Sequence, residues 1–421
     1  MQTTSIRSVQ SRLKEGTAST TLKIAVVVPA NEIKEEPIVE TESRRSFLRQ
    51  ATNAAAALPF VLRRNHRLFA QPAPQYSERV VRLMRESLVI DMLNQFLYRI
   101  DQKDLKEKWL TQPGAFTAAD FERFKGTGVS VINIGEGVDS FAEAALLFAK
   151  WNSFIAQYPE WLMRINDAAD LMRAKDHGKL GILFGLQSSA QFQNLDDVNR
   201  CLGYGLRVSQ LSYNFRTRVA DGAFEPFDGG VSEYGAKVID RMNSVGMAVD
   251  LGHASEKTKL DAIEISKKPV ILSHGNCRAL NPNAPRTSSD DAIRKLARKG
   301  GVMGITDIAF MVKGSEPVRI DDVIDQFDHV RDLVGIEHVG VGSDAGIESN
   351  DLGSASVLKE LLANADPRYR VHGQREIVMG LEGPNRMYEL TAALVRRGYT
   401  DDQVRLILGG NWARVLKEIW L

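Results

Sequence analysis

The sequence predicts an α/β chain folded as a (β/α)8, TIM-type barrel with extra helices after the last strand. Three observations carry the prediction. Eight short runs rich in Val, Ile or Leu recur along the chain, at 88–93, 129–134, 181–186, 206–212, 247–251, 269–273, 301–305 and 338–342. Most are followed by stretches of helical period, such as 290–298 and 320–333, the alternation expected of parallel strands joined by helices. No GxGxxG follows the first run, which argues against an open doubly wound sheet. A chain of 421 residues does not demand a second domain, because α/β barrels reach this size as one unit.

Composition bounds the class. With 43% hydrophobic and 25% charged residues, most of the chain has ample apolar material for a core. Two cysteines, Cys201 and Cys277, exclude a disulfide scaffold and any CxxC zinc module. They read as small buried residues. Residues 1–70 hold 11 basic and 6 acidic residues, a net of +5. The remainder holds 43 and 47, a net of −4. That body has no electrostatic reason to bind nucleic acid.

The basic excess belongs to a leader over residues 1–75. Ser43, Arg44, Arg45, Ser46, Phe47, Leu48 and Arg49 precede a weakly apolar stretch over 50–62, then Leu68-Phe69-Ala70. A basic region, a short apolar region and a small-residue cleavage site make an export signal. The paired arginines resemble the twin-arginine type. The expected destination is the periplasm or envelope, with the leader disordered or removed. The apolar run is too short to anchor in a bilayer. The competing reading is an Ala-rich surface helix.

The barrel then occupies residues 76–421. In such a barrel chemistry sits where strands end at the carboxyl side. Strand 1 ends in Asp91-Met92-Leu93-Asn94-Gln95, strand 3 in Gln187, and strand 4 in Tyr213-Asn214. Strands 5, 6 and 8 end in His253, His274 and Asp344. Two imidazoles and a carboxylate from three strand ends can converge on one metal. Three protein ligands with an open position is the catalytic zinc pattern. The plainer alternative is a pair of hydrogen-bonded structural histidines. His329 reads as structural, and His66, His177 and His372 have no partner pattern. The stretch 216–222 reads as a loop over the mouth of the site.

The stretches Val249-Asp250-Leu251-Gly252-His253-Ala254-Ser255 and Pro269-Val270-Ile271-Leu272-Ser273-His274, followed by Arg286, closely resemble the renal (membrane) dipeptidase family of metallopeptidases. So do 338–344 and the tail motifs Gly380-Leu381-Glu382, Arg397-Gly398-Tyr399 and Leu408-Gly409-Gly410-Asn411. The resemblance covers about residues 80–421, with the motifs in order. It implies a metal-dependent amidohydrolase-type barrel, hydrolysis of dipeptides or other small amides with two zinc ions, and a homodimer. Carried over residue by residue, it implies His253 and His274 as ligands of one zinc. Asp344 becomes the catalytic acid at the last strand, and Arg286 the receptor for the substrate carboxylate. Tyr213 stands where the mammalian enzyme has a substrate-contacting His.

Three positions depart from the family pattern. Leu93 stands for a ligand His, Gln95 for a ligand Asp, and Gln187 for the bridging Glu. A methyl group and two neutral amides replace strong or anionic ligands. One site is therefore expected to be lost, leaving one zinc at most, on His253 and His274 with Asp344 or Gln187. Four readings follow: a one-metal dipeptidase; an inactive relative that binds a small carboxylate or peptide; a metal-free hydrolase using Asp344 as base; and a scaffold without chemistry.

Overall fold

A computed structural model describes residues 76–97, 103–315, 317–348 and 378–420. The expected leader, residues 1–75, lies outside the described residues.

Nine parallel strands form one sheet: β1 Ile90–Asn94, β2 Val131–Glu136, β3 Leu162–Ile165, β4 Leu180–Leu186, β5 Leu206–Gln210, β6 Ala248–Asp250, β7 Ile271–Gly275, β8 Val302–Ile305 and β9 Val339–Val341. Eight of them run in the order β1-β2-β4-β5-β6-β7-β8-β9. A parallel bridge between Asn94 and Ala345 joins the two ends of that order. The Gln95 N–H donates to the Ala345 carbonyl at 2.9 Å, and the Asp344 N–H to the Leu93 carbonyl at 3.0 Å. This is the expected barrel. All eight expected strands are present, with ends displaced by at most two residues.

The strand β3 was not expected. It pairs only with β4, off the barrel path, and its middle residues are half-buried. Four residues without a clean apolar run leave little periodicity to read. The last strand is shorter than the run 338–342, because a 3-10 turn over Ile336–His338 occupies its start.

The barrel interior is filled at the amino ends of the strands. Ile90, Val131, Val208, Ala248, Ile271 and Val302 pack with Trp412, Val415, Leu416 and Ile419 of the helix Asn411–Trp420. The Trp412 indole N–H donates to the Val341 carbonyl at 3.0 Å. A Cβ on Gly340 would stand 2.5 Å from that indole nitrogen, so only glycine admits the ring. The Asn411 amide donates to the Ile336 and Val339 carbonyls. The tail motif thus plugs the amino end of the barrel, and the carboxyl end is left for chemistry. The helices Arg386–Arg397 and Asp401–Arg405 complete the expected extra helices.

A second apolar layer lies between strands and outer helices. Ser289 caps the helix Asp290–Arg298, accepting from the Ala292 N–H, with Asp290 and Asp291 in the first turn. His329 bonds Asp290 at 2.8 Å, the structural role expected of it. Cys201 and Cys277 are buried free thiols, and burial pushes Cys201 up to about 12.

Candidate metal and substrate site at the carboxyl ends of the strands

Two imidazole nitrogens and an amide oxygen converge at the carboxyl face. His253, three residues past β6, and His274, on β7, are both buried. Their Nε2 atoms lie 3.1 Å apart. Nδ1 of His253 lies 2.6 Å from Oδ1 of Asn214. Its Nε2 lies 2.9 Å from the carbonyl Oε1 of Gln187. The Gln187 amide cannot turn its NH2 toward the imidazole without losing its bond to the Gly135 carbonyl, made at 2.8 Å. Nδ1 of His274 lies 2.8 Å from the Ser273 hydroxyl.

Both imidazoles stay neutral. Burial holds them well below the ordinary histidine value, and the Arg286 guanidinium adds to the effect. Neutral imidazoles are the form a metal takes. Two ligands of one tetrahedral zinc stand about 3.3 Å apart, given Zn–N bonds near 2.0–2.1 Å. The spacing of these two nitrogens suits that geometry.

The other half of the face has the opposite character. Leu93 is buried, on β1. A Cβ on Gly135 would stand 2.5 Å from a Leu93 methyl and 2.9 Å from the Gln187 amide nitrogen. Leu93 and the NH2 end of Gln187 thus crowd one wall. The Gln95 amide donates to Oδ1 of Asp344 at 2.7 Å. Methyl groups and N–H donors repel a cation where carboxylates and an imidazole would attract one.

Asp344 is set apart from the histidine pair. Its Oδ2 lies 3.9 Å from Nε2 of His274, wider than the spacing of the two histidine nitrogens. Among the described residues, no three His, Cys, Asp or Glu side chains are placed to hold a metal. Oε1 of Gln187 is thus the third atom beside the two histidines, one of the two completions the sequence allows, and Asp344 lies further off. The reason lies in the backbone. Asp344 follows β9 in the left-handed region, at φ 60°, and the bond to Gln95 turns its carboxylate toward β1. Burial raises its pKa, opposed by Arg286 and by the Gln95 bond.

Arg286, 7% exposed, lies in the loop after β7. Its charge acts on His253, His274 and Asp344 together, which sets it at the same face. The Tyr213 ring lies against the His253 imidazole, with centroids 4.2 Å apart and the planes tilted by 32°. The loop 216–222 does border the mouth, as expected. Its Arg216 is clamped on Asp221 by two bonds of 2.6 and 3.0 Å, so it offers little field to an anionic ligand.

Four further residues shape this face. Asn214 lies against Nδ1 of His253. Asp91 accepts from the Ser343 N–H and hydroxyl and pairs with Arg386 at 3.0 Å. Asp307, two residues past β8, is buried. Burial pushes its carboxyl up to about 7, with Arg386 opposing and Asp91 and Asp344 assisting. Lys259 lies beneath the Arg286 loop, its ammonium near the Arg286 and Thr287 carbonyls. Asp307 was findable, since it follows an expected strand by two residues. Lys259 and Arg386 lie on helices and gave no signal.

The chain matches the model of the membrane dipeptidase family, peptidase family M19, over residues 77–372 and 368–420. The chain is 30% identical over 271 residues to the dipeptidase verJ of Clonostachys rogersoniana, covering 64% of this chain and 63% of that protein. It is 29% identical over 285 residues to the dipeptidase tcpJ of Claviceps purpurea, covering 67% and 60%. The matches thus span less than two thirds of those relatives. Among solved structures, an amidohydrolase from Pseudomonas aeruginosa superposes with a TM-score of 0.70 at 27% identity, over 81% of this chain and 99% of that one. A metallo peptidase from Rhodobacter sphaeroides, liganded with a phosphinate mimic of the dipeptide L-Ala-D-Ala, shares the fold at a TM-score of 0.63 and 18% identity, over 79% and 99%.

Proposed function

The chain belongs to the membrane dipeptidase family, peptidase family M19, and from that membership we propose that it hydrolyses dipeptides, or small amides with a free carboxylate, using one zinc ion at most. The observation that carries this reading is the convergence of Nε2 of His253, Nε2 of His274 and Oε1 of Gln187. Two neutral imidazole nitrogens and an amide oxygen at this spacing form a donor set that one cation can share. His253, His274 and the Gln187 carbonyl would hold the ion. Leu93 and the amide nitrogens of Gln95 and Gln187 disfavour a second.

When bound, zinc supplies a polarised carbonyl and an acidified water. The remaining work falls to the chain. Arg286 takes the substrate carboxylate through charge-assisted hydrogen bonds. Asp344 holds and moves a proton at its carboxylate. Its raised pKa brings it nearer neutral pH, where a carboxylate exchanges protons most usefully. Gln95 fixes the orientation of that carboxylate. With an ion on Nε2 of His253, Asn214 Oδ1 would hold the ring hydrogen on Nδ1. Tyr213 backs the imidazole and shields it from water.

A second reading keeps the ligand and drops the hydrolysis. It is favoured by the same three positions, Leu93, Gln95 and Gln187, at which strong ligands are missing. Metal analysis of the purified protein, with a dipeptide panel scored for both binding and cleavage, separates the two. Cleavage with bound zinc supports the enzyme. Binding without cleavage supports the second reading. Export through the twin-arginine-like signal at Arg44 and Arg45, removal of residues 1–75 and a homodimeric state are proposed alongside.

A further inference from the structure

We propose that the preferred dipeptide carries a large planar residue at its amine end, received by a cleft that continues outward from the histidine pair. The inference rests on the dipeptide reading above and adds a substrate class to it.

The cleft measures about 720 Å³ and is lined in part by Ser188, Ser189, Phe192, Tyr213, Phe215 and Thr217. That is within the range of about 300–1,000 Å³ that houses whole small-molecule ligands. A dipeptide of two small residues leaves most of it unfilled. Its inner wall is also the outer wall of the site. Ser188 follows Gln187, whose carbonyl faces His253, and Tyr213 lies against the His253 ring. With the carboxylate at Arg286 and the peptide carbonyl at the histidines, the amine-end residue is the part left to enter the cleft.

The lining selects by shape and ring faces rather than by charge. Tyr213 remains 45% exposed although one face lies on the imidazole. Such a ring accepts a second planar group by offset stacking. The two cations on the wall are engaged elsewhere. Arg216 is clamped on Asp221. Arg218 lies over the Tyr234 ring at 4.0 Å and donates to the Gln193 carbonyl at 2.6 Å. Asp139, exposed on the rim, adds a negative charge. The hydroxyls of Ser189 and Thr217 donate to the Leu211 carbonyl. An acidic amine-end residue therefore finds no waiting cation.

The wall is also fixed in place. A bridge joins Ala220 to Val231 and another joins Gly222 to Ala254. The Ala223 N–H donates to the His253 carbonyl at 2.9 Å, and the Phe224 N–H to the Asn214 carbonyl at 2.7 Å. The backbone that carries the cleft is thus tied to the residues that carry the site. A pre-formed wall lowers the ordering cost of binding.

The test compares binding of Ala-Ala and Trp-Ala to the full chain by calorimetry, each with an L and a D carboxyl-end residue. Trp-Ala should bind at least tenfold more tightly. Ala190→Trp, which fills the cleft from its wall, should abolish that advantage and leave Ala-Ala unchanged. Gln193→Trp fills it from a second position and guards against a folding defect in the first variant. Equal affinities in the natural protein, or a loss shared by both peptides in both variants, overturns the cleft and leaves the dipeptide reading standing. Binding of neither peptide to the natural protein overturns both.

Discussion

Asp91 on β1 and Arg386, 295 positions later, form a buried ion pair at 3.0 Å that ties the first strand to the C-terminal helices. Arg386 also donates to the Gly346 carbonyl, and Asp91 holds Ser343 through its N–H and hydroxyl. One pair thus fixes both strands at the seam of the barrel.

Breaking that pair from one side leaves a buried charge without its partner. Arg386→Met should lower stability by about 3 to 5 kcal/mol, measured by denaturant unfolding. Adding Asp91→Asn should recover part of the loss, because the orphaned charge is then gone. A loss below about 1 kcal/mol for the single variant contradicts the assignment.

Lys259 gives a prediction in pH. Burial pushes its ammonium down to about 8, against about 10.4 in an unfolded chain. Below pH 8 the lysine is charged in both states, and the folded state bears the full burial cost. Between about 8 and 10.4 the folded state sheds its proton first, so the unfolded state binds more protons and stability rises with pH. Relative to Lys259→Met, the natural protein should gain about 2 to 3 kcal/mol between pH 7 and pH 10. A difference independent of pH contradicts this account of Lys259.

Much of this was legible in the sequence because β-rich runs and strand ends are local signals. His253, His274 and Asp344 each end a readable run, and the barrel brings the two histidines together. What was not legible depends on orientation. Asp344 turns away through a positive φ and a bond to Gln95, and neither is visible in a run of letters. Gln187 joins the histidines because its NH2 is held by a backbone carbonyl on β2, a long-range relationship. Asn214 stood at a readable strand end, but its role is set by an imidazole on the next strand. The strand β3 escaped because four residues, only the outer two of them buried, carry almost no pattern.

Arg286 is expected to carry carboxylate recognition. Arg286→Met should weaken binding of a dipeptide by about 1.5 to 3 kcal/mol, the range for a hydrogen bond to a charged group. An amidated dipeptide should bind the natural protein and the variant alike. Unchanged affinity for the free carboxylate in calorimetry removes Arg286 from the site.

Export is expected to depend on the paired arginines. Replacing Arg44 and Arg45 by Lys should hold the protein in the cytoplasm, as fractionation would show. Unchanged delivery to the periplasm or envelope rules out the twin-arginine route.

The central claim is that His253, His274 and Gln187 hold one cation while Leu93, Gln95 and the Gln187 amide nitrogen exclude a second. Elemental analysis of the unaltered protein, purified and equilibrated with zinc, tests it most directly. The account predicts no more than one zinc per chain, and a rise toward two in the triple variant Leu93→His, Gln95→Asp and Gln187→Glu. Two zinc ions per chain in the unaltered protein would contradict it.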